Sequence, residues 1–192
     1  MTTVNPAVVA IAGPIGSGKT TTAALLARQL AWPQAGYGDT IRVIAAERGL
    51  PASRESLQQL GLELISNGWD AFTRLVLQHA RWCPGQPLIL DGLRHLPAAT
   101  ALRTAVAPLP VTIVYLDLPA DIAATRARQR DQETGPAAAA PGTHATELAL
   151  PAVRDHADLI IKARPLTPPQ VTSQIVSYLS SALSHAPGGR CA

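Results

Sequence analysis

Eight consecutive residues, Gly13-Pro14-Ile15-Gly16-Ser17-Gly18-Lys19-Thr20, fit the pattern G-x-x-x-x-G-K-[ST] in full. Glycines at this spacing let the backbone curl until successive N–H groups point at one cluster of anionic oxygens. The N-terminus of a following helix adds its own partial positive charge. Lys19 then places a full charge beside a transferred phosphoryl group, and Thr20 supplies a hydroxyl for Mg²⁺. All eight are candidate contacts to a nucleoside triphosphate, with Lys19 also a catalytic candidate and Thr20 a metal candidate.

Other residues suit the second half of such a reaction. Asp39 and Asp91 are carboxylates able to take a proton from an alcohol acceptor, and Asp91 at a strand end also suits the ordering of Mg²⁺-bound water. Arg42 and Arg94 suit an acceptor that already carries a phosphate, because a guanidinium fork binds phosphate bidentately. Arg126, Arg128 and Arg130 are spaced two apart and cannot share one helix face. Arg126 and Arg130, four apart, form the pair that faces one way, and Arg128 is read as a solvated side chain. Trp69, Phe72 and Trp82 are core residues by default, with stacking on a base as the alternative for Trp69 or Phe72. His144 and Glu147, an i, i+3 pair, read as a surface feature. Cys83 and Cys191 lack the paired spacing of a zinc or redox site.

Positioning these groups needs strands that end at them. Val8 to Ala12 is a β-branched apolar run entering the glycine loop, as expected of a strand buried on both faces. Ala23, Leu26 and Leu30 lie at helical spacing, and Pro33 stops that helix. A short glycine-flanked segment over 36–38 is followed by Asp39 as the expected N-cap of a helix to Arg48, with Gly49 just beyond it. Residues 53–82 read as one or two helices starting at Ser53, with Leu57, Leu60, Leu64 and Ile65 on one face. Strands are expected over 88–90, 111–116 and 158–162, the first two ending at Asp91 and Asp117. Helices are expected over 98–106 and 121–130, and another from a Thr167 cap with Pro168 at its first position. Alternation of strand and helix predicts a doubly wound α/β sheet.

Composition bounds the rest. With 192 residues, 47% apolar and 15% charged, the chain suits one domain over 1–192 and is no disordered polymer. Its apolar runs are too short to span a bilayer and no secretory leader is apparent. The expected location is therefore cytoplasmic, or the host cytoplasm if the gene belongs to a phage. Net charge is +3, and all the basic residues except Lys19 and Lys162 are arginine. Coding bias explains that as readily as phosphate binding does, and the mild basic excess is compatible with DNA without requiring it. The alanine, proline and glycine stretch over 135–142 can bury little and is expected to be a mobile lid, within a lid region of about 126–150.

The phosphate loop, Gly38-Asp39-Thr40-Ile41-Arg42 and Asp91-Gly92-Leu93-Arg94 together resemble the adenylate kinases and related P-loop nucleotide kinases, including a dephospho-coenzyme-A-kinase-like branch. The second segment is similar to G-D-x-x-R, whose arginine in those families holds the acceptor phosphate, and Tyr37 beside it, where the adenylate kinases have threonine, is thereby implied to line the acceptor pocket. The third is similar to D-G-x-P-R, but the proline is absent and the arginine comes one residue sooner. Arg126, Arg128 and Arg130 are similar in position to arginines at the base of the lid, and Ala157 to Ile161 to the closing strand, after which a loop covers adenine. The resemblance implies a P-loop NTPase fold with a five-stranded parallel sheet in the order 2-3-1-4-5. It also implies an acceptor-binding helical region over about 39–82 and ATP with Mg²⁺. It favours a nucleoside or deoxynucleoside monophosphate kinase, with a small nucleotide as partner and a monomer or homodimer as assembly. Kinases of an alcohol, either dephospho-coenzyme A or 5-hydroxymethyluracil in DNA, are the first alternative. A nucleotide-driven ATPase or switch is the second.

Overall fold

The computed structural model describes residues 4–119, 121–123, 125–126, 129 and 148–183. Five strands, β1 (Val8–Ala12), β2 (Gln34–Gly36), β3 (Leu88–Leu93), β4 (Val111–Asp117) and β5 (Leu159–Lys162), form one sheet. Its order is β2-β3-β1-β4-β5 and every pairing is parallel, as the family resemblance implies. Parallel strands need crossovers, and helices supply them on both faces.

On one face lie α2 (Tyr37–Glu47), α3 (Arg54–Ser66), α4 (Trp69–His79), α5 (Leu96–Val106) and α6 (Leu150–Asp155). Leu60, Leu64, Phe72, Val76 and Leu102 pack there against Val8, Ala10, Leu88 and Leu90. On the other face α1 (Lys19–Leu30) and α7 (Pro168–Leu183) cover Val9, Ile11, Ile89, Val114 and Leu116 with Ala23, Leu26, Ile175 and Leu179. β1 is therefore buried throughout, and its C-terminal end delivers the phosphate loop at a topological switch of the sheet. No helix among the described residues is long and apolar enough to cross a membrane.

Several boundaries differ from expectation for local reasons. β2 begins straight after Pro33, whose carbonyl already accepts from the Ile89 N–H, so Gly36 ends a strand instead of opening a segment. The chain then turns into α2 with no loop, and Gly36 is the N-cap. Asp39 is therefore not the cap; it lies in the first turn, where its charge suits the positive helix end. Gly49 follows with φ 66, the left-handed residue expected past the helix. The Ser53 hydroxyl accepts from Ser56 N, capping α3 as its sequence suggests. Thr167 donates its N–H and its hydroxyl to the Gln170 amide oxygen at the start of α7. β3 runs three residues beyond Leu90. It does so through a bulge in which Ile11 stands opposite Asp91 and Ala12 opposite Leu93, leaving Gly92, at φ 86, outside the ladder.

Candidate active site

Between β1 and α1 the loop places Gly13, Gly16 and Gly18 at positive φ, a backbone path that side chains resist. A Cβ on Gly13 would lie 2.6 Å from the Leu116 carbonyl oxygen of β4, so the glycine is also required by close approach. Lys19 is buried, and its Nζ donates to the Gly13 and Pro14 carbonyls at 2.8 and 2.7 Å. The side chain thus folds back over the loop whose N–H groups form the phosphate cradle. Pro14, Ile15 and Gly16 complete the crest. Ser17 Oγ is buried with no hydrogen-bond partner among the described residues.

Thr20 lies in the first turn of α1, and its hydroxyl donates to Asp91 Oδ2 at 2.7 Å, joining the start of the helix to β3. The second carboxylate oxygen, Asp91 Oδ1, is buried and has no partner among the described residues. Buried polar atoms are rarely left so, and a dry carboxylate oxygen next to a threonine hydroxyl is a donor set that fits a hydrated hard cation. Mg²⁺ takes one or two protein oxygens and completes its shell with water and phosphate. Thr20 and Asp91 are the residues that would hold it.

The loop opens into a cleft of about 530 Å³ that continues over α2, α4 and the start of α5. Tyr37, Asp39, Arg42, Asp91, Arg94 and Arg126 all line it together with Lys19 and Thr20. Gly36 lets α2 press against β3, since a Cβ there would lie 3.0 Å from Asp39 Oδ2 and 3.3 Å from the Asp91 carbonyl oxygen. Both acidic groups therefore sit at one end of the cleft. Asp39 accepts from Arg42 Nη2 at 2.6 Å, with both side chains more than half exposed at the rim. An ion pair this exposed contributes little to stability, so Arg42 exchanges partners at small cost.

Tyr37 is buried, and its hydroxyl shares a 3.0 Å hydrogen bond with Thr73 on α4. Burial pushes its phenol up to about 12, against a smaller downward effect of that bond. Tyr37 therefore presents its ring to the cleft, with the polar tip already engaged. Phe72 is core, whereas Trp69 is half-buried in the cleft wall. Trp82 packs outside this site and donates its indole N–H to the Gln86 carbonyl of a turn.

Sequence reasoning missed His95, which lines the cleft directly after the Asp91 to Arg94 segment and packs on Trp69 with ring centroids 4.9 Å apart. Burial, helped by the neighbouring Arg94 charge, lowers its pKa from the usual 6.5, which keeps the ring neutral near pH 7. Its signal was positional, the second residue past a strand end that already carries an Asp and an Arg. Ile41 and Ile65 add apolar surface nearby. Arg126 also borders a second depression lined by Arg164, Pro165, Leu166, Thr167 and Pro168, the loop after β5. Arg128, Arg130, the residues 131–147 with His144 and Glu147, and Cys191 lie outside the described residues.

The model of a family described as AAA domain matches residues 9–139. A UPF0200 protein of Aeropyrum pernix is 29% identical over 135 residues, covering 70% of this chain and 71% of that protein. Among solved structures, the shikimate kinase from Aquifex aeolicus superposes with a TM-score of 0.59 at 17% identity, covering 93% of this chain and 99% of its own. The shikimate kinase from Acinetobacter baumannii, solved in complex with shikimate, gives 0.59 at 19% identity, covering 92% of this chain and 94% of its own. A gluconokinase from Sinorhizobium meliloti gives 0.54 at 13%, covering 95% and 96%. At these identities the likeness shows a shared P-loop kinase fold.

Proposed function

Because this chain belongs to the AAA domain family and has the fold of the P-loop kinases, we propose that it is an ATP- and Mg²⁺-dependent phosphotransferase acting on a nucleoside or deoxynucleoside monophosphate. The observation that carries this reading is one cleft lined both by Lys19, Thr20 and Asp91 and by the two guanidinium groups of Arg42 and Arg94. Glycine-loop N–H groups would bind the β- and γ-phosphates, and Lys19 would leave the Gly13 and Pro14 carbonyls for the transferred group. Mg²⁺, oriented from Thr20 and Asp91, would neutralise the oxygens between which the bond breaks. Arg42 and Arg94 would hold the acceptor phosphate, an anionic nucleophile that needs no base. Catalysis is then positioning and charge neutralisation, since a loose phosphoryl-transfer transition state asks little covalent help.

Transfer of a labelled γ-phosphate to a panel of nucleoside monophosphates, dephospho-coenzyme A and DNA bearing 5-hydroxymethyluracil tests this directly. Within that assay Arg42→Ala is expected to raise the acceptor KM about tenfold, the loss of one charge-assisted bond, while the ATP KM stays near its original value. An effect on ATP with none on acceptor would remove Arg42 from the acceptor end.

A second reading, transfer to a hydroxyl group, is supported by Asp39, a carboxylate in the cleft near the Asp91 strand end. Asp39→Asn separates the two. With an ionised acceptor it changes chiefly KM, by roughly 1 kcal/mol of lost rim and helix-end electrostatics. With an alcohol it removes the base, and kcat falls by about 10²–10⁴-fold at unchanged KM.

A further inference from the structure

Granting the phosphotransferase reading above, the half of the acceptor that is not phosphate also has a place in this cleft. We infer that Trp69 and His95 form the seat of an aromatic heterocycle, so that the acceptor is selected by a planar base stacked on the Trp69 indole and not by a polyhydroxylated body.

Trp69 is the first residue of α4, set by Gly68 at φ 94. It meets Tyr37 edge-on at 6.4 Å and 84°, lies near-parallel to Phe72 at 6.2 Å and 26°, and touches His95 at 4.9 Å and 38°. Tyr37 and Phe72 are buried beside it, so the half-buried indole is braced by two packed aromatic rings. A plate held in this way stacks a base with little loss of side-chain freedom. Polarity points the same way. The Tyr37 hydroxyl is already bonded to Thr73, and Ile41, Ile65 and Phe72 supply none, so this wall offers a sugar acid few partners for its hydroxyl groups. His95 is the exception. Its Nε2 is buried with no hydrogen-bond partner among the described residues, which leaves a polar atom beside the indole to be satisfied by a base edge. Burial keeps it neutral, able to donate at one nitrogen and accept at the other.

The test pairs tryptophan fluorescence and calorimetry with the transfer assay, using nucleoside monophosphates and, as a base-free probe, ribose 5-phosphate. Nucleotide binding is expected to quench wild-type emission, and the quench should vanish in Trp69→Phe, which still stacks and still binds, although Trp32 and Trp82 remain. Trp69→Ala should weaken nucleotide binding by about tenfold to a hundredfold and leave ribose 5-phosphate nearly unaffected. His95→Phe should compress the preference among bases more than it weakens binding overall. Nucleotide binding unchanged in Trp69→Ala, or ribose 5-phosphate bound as tightly as a nucleotide, would overturn this seat while wild-type transfer to a monophosphate still upheld the enzymatic reading. Failure of the wild type to phosphorylate any monophosphate would overturn both.

Discussion

Lys19→Ala is expected to lower phosphoryl transfer by a hundredfold or more, about 3 kcal/mol, with the fold retained. The size follows from removing one preorganised cationic donor whose interaction is made mainly in the transition state. Its present partners are the buried Gly13 carbonyl and the part-buried Pro14 carbonyl, so losing the two bonds costs stability on the order of 1–3 kcal/mol at the first and less at the second. Single-turnover transfer measured beside thermal unfolding distinguishes the two effects. Near-normal turnover in a folded variant would remove Lys19 from the chemistry.

Asp91→Asn is expected to weaken the apparent Mg²⁺ affinity by about tenfold to a hundredfold, the usual effect of altering a group that orients a metal's ligands. The change keeps the shape of the side chain and leaves an oxygen able to accept from Thr20, but removes the charge beside the buried Oδ1. Activity as a function of Mg²⁺ concentration should shift to higher metal, with part of the loss recovered at saturation. A curve superimposable on the wild type would mean that Asp91 only tethers Thr20. The apparent ATP affinity without metal should barely change, which separates metal positioning from nucleotide binding.

How far this could be read in advance depends on what each residue answers to. Val8 to Leu30 was legible because a strand buried on both faces, a glycine loop and a helix each satisfy a local rule, and the rules agree. The sheet order came from the family resemblance and not from any periodicity. Arg42, Asp39, Asp91 and Arg94 were legible as types, and the fold brings them to one cleft. Asp39 was misplaced as a cap because Asp before an apolar periodic run is a cap signal, whereas the helix starts two residues earlier, where β2 ends. That boundary is tertiary, set by Gln34 to Gly36 pairing with Ile89 to Asp91. His95, and with it the pairing to Trp69, escaped for a similar reason. Nothing local says that the first residue of α4 meets the residue before α5; packing of the two helices on the sheet brings them together. Tyr37 does line the cleft, but its hydroxyl is turned away by Thr73, a residue far along the chain.

The bulge at Gly92 bears on how such motifs are counted. Along a regular strand the two sides alternate, so odd and even positions never share a face. Leu88 and Leu90 face the core with Val8 and Ala10, and Ile89 faces the opposite one with Ile11. Leu93 has the parity of Ile89, yet it packs with Leu88 and Leu90, opposite Ala12. Parity is thus inverted once between Asp91, whose carboxylate reaches Thr20 of α1, and Leu93, which packs on the opposite side with Leu88 and Leu90. Two residues that a regular strand would set on one face are placed on opposite faces by a single glycine outside the ladder. A motif's spacing along β3 is therefore a statement about parity, and residues counted across the bulge change sides.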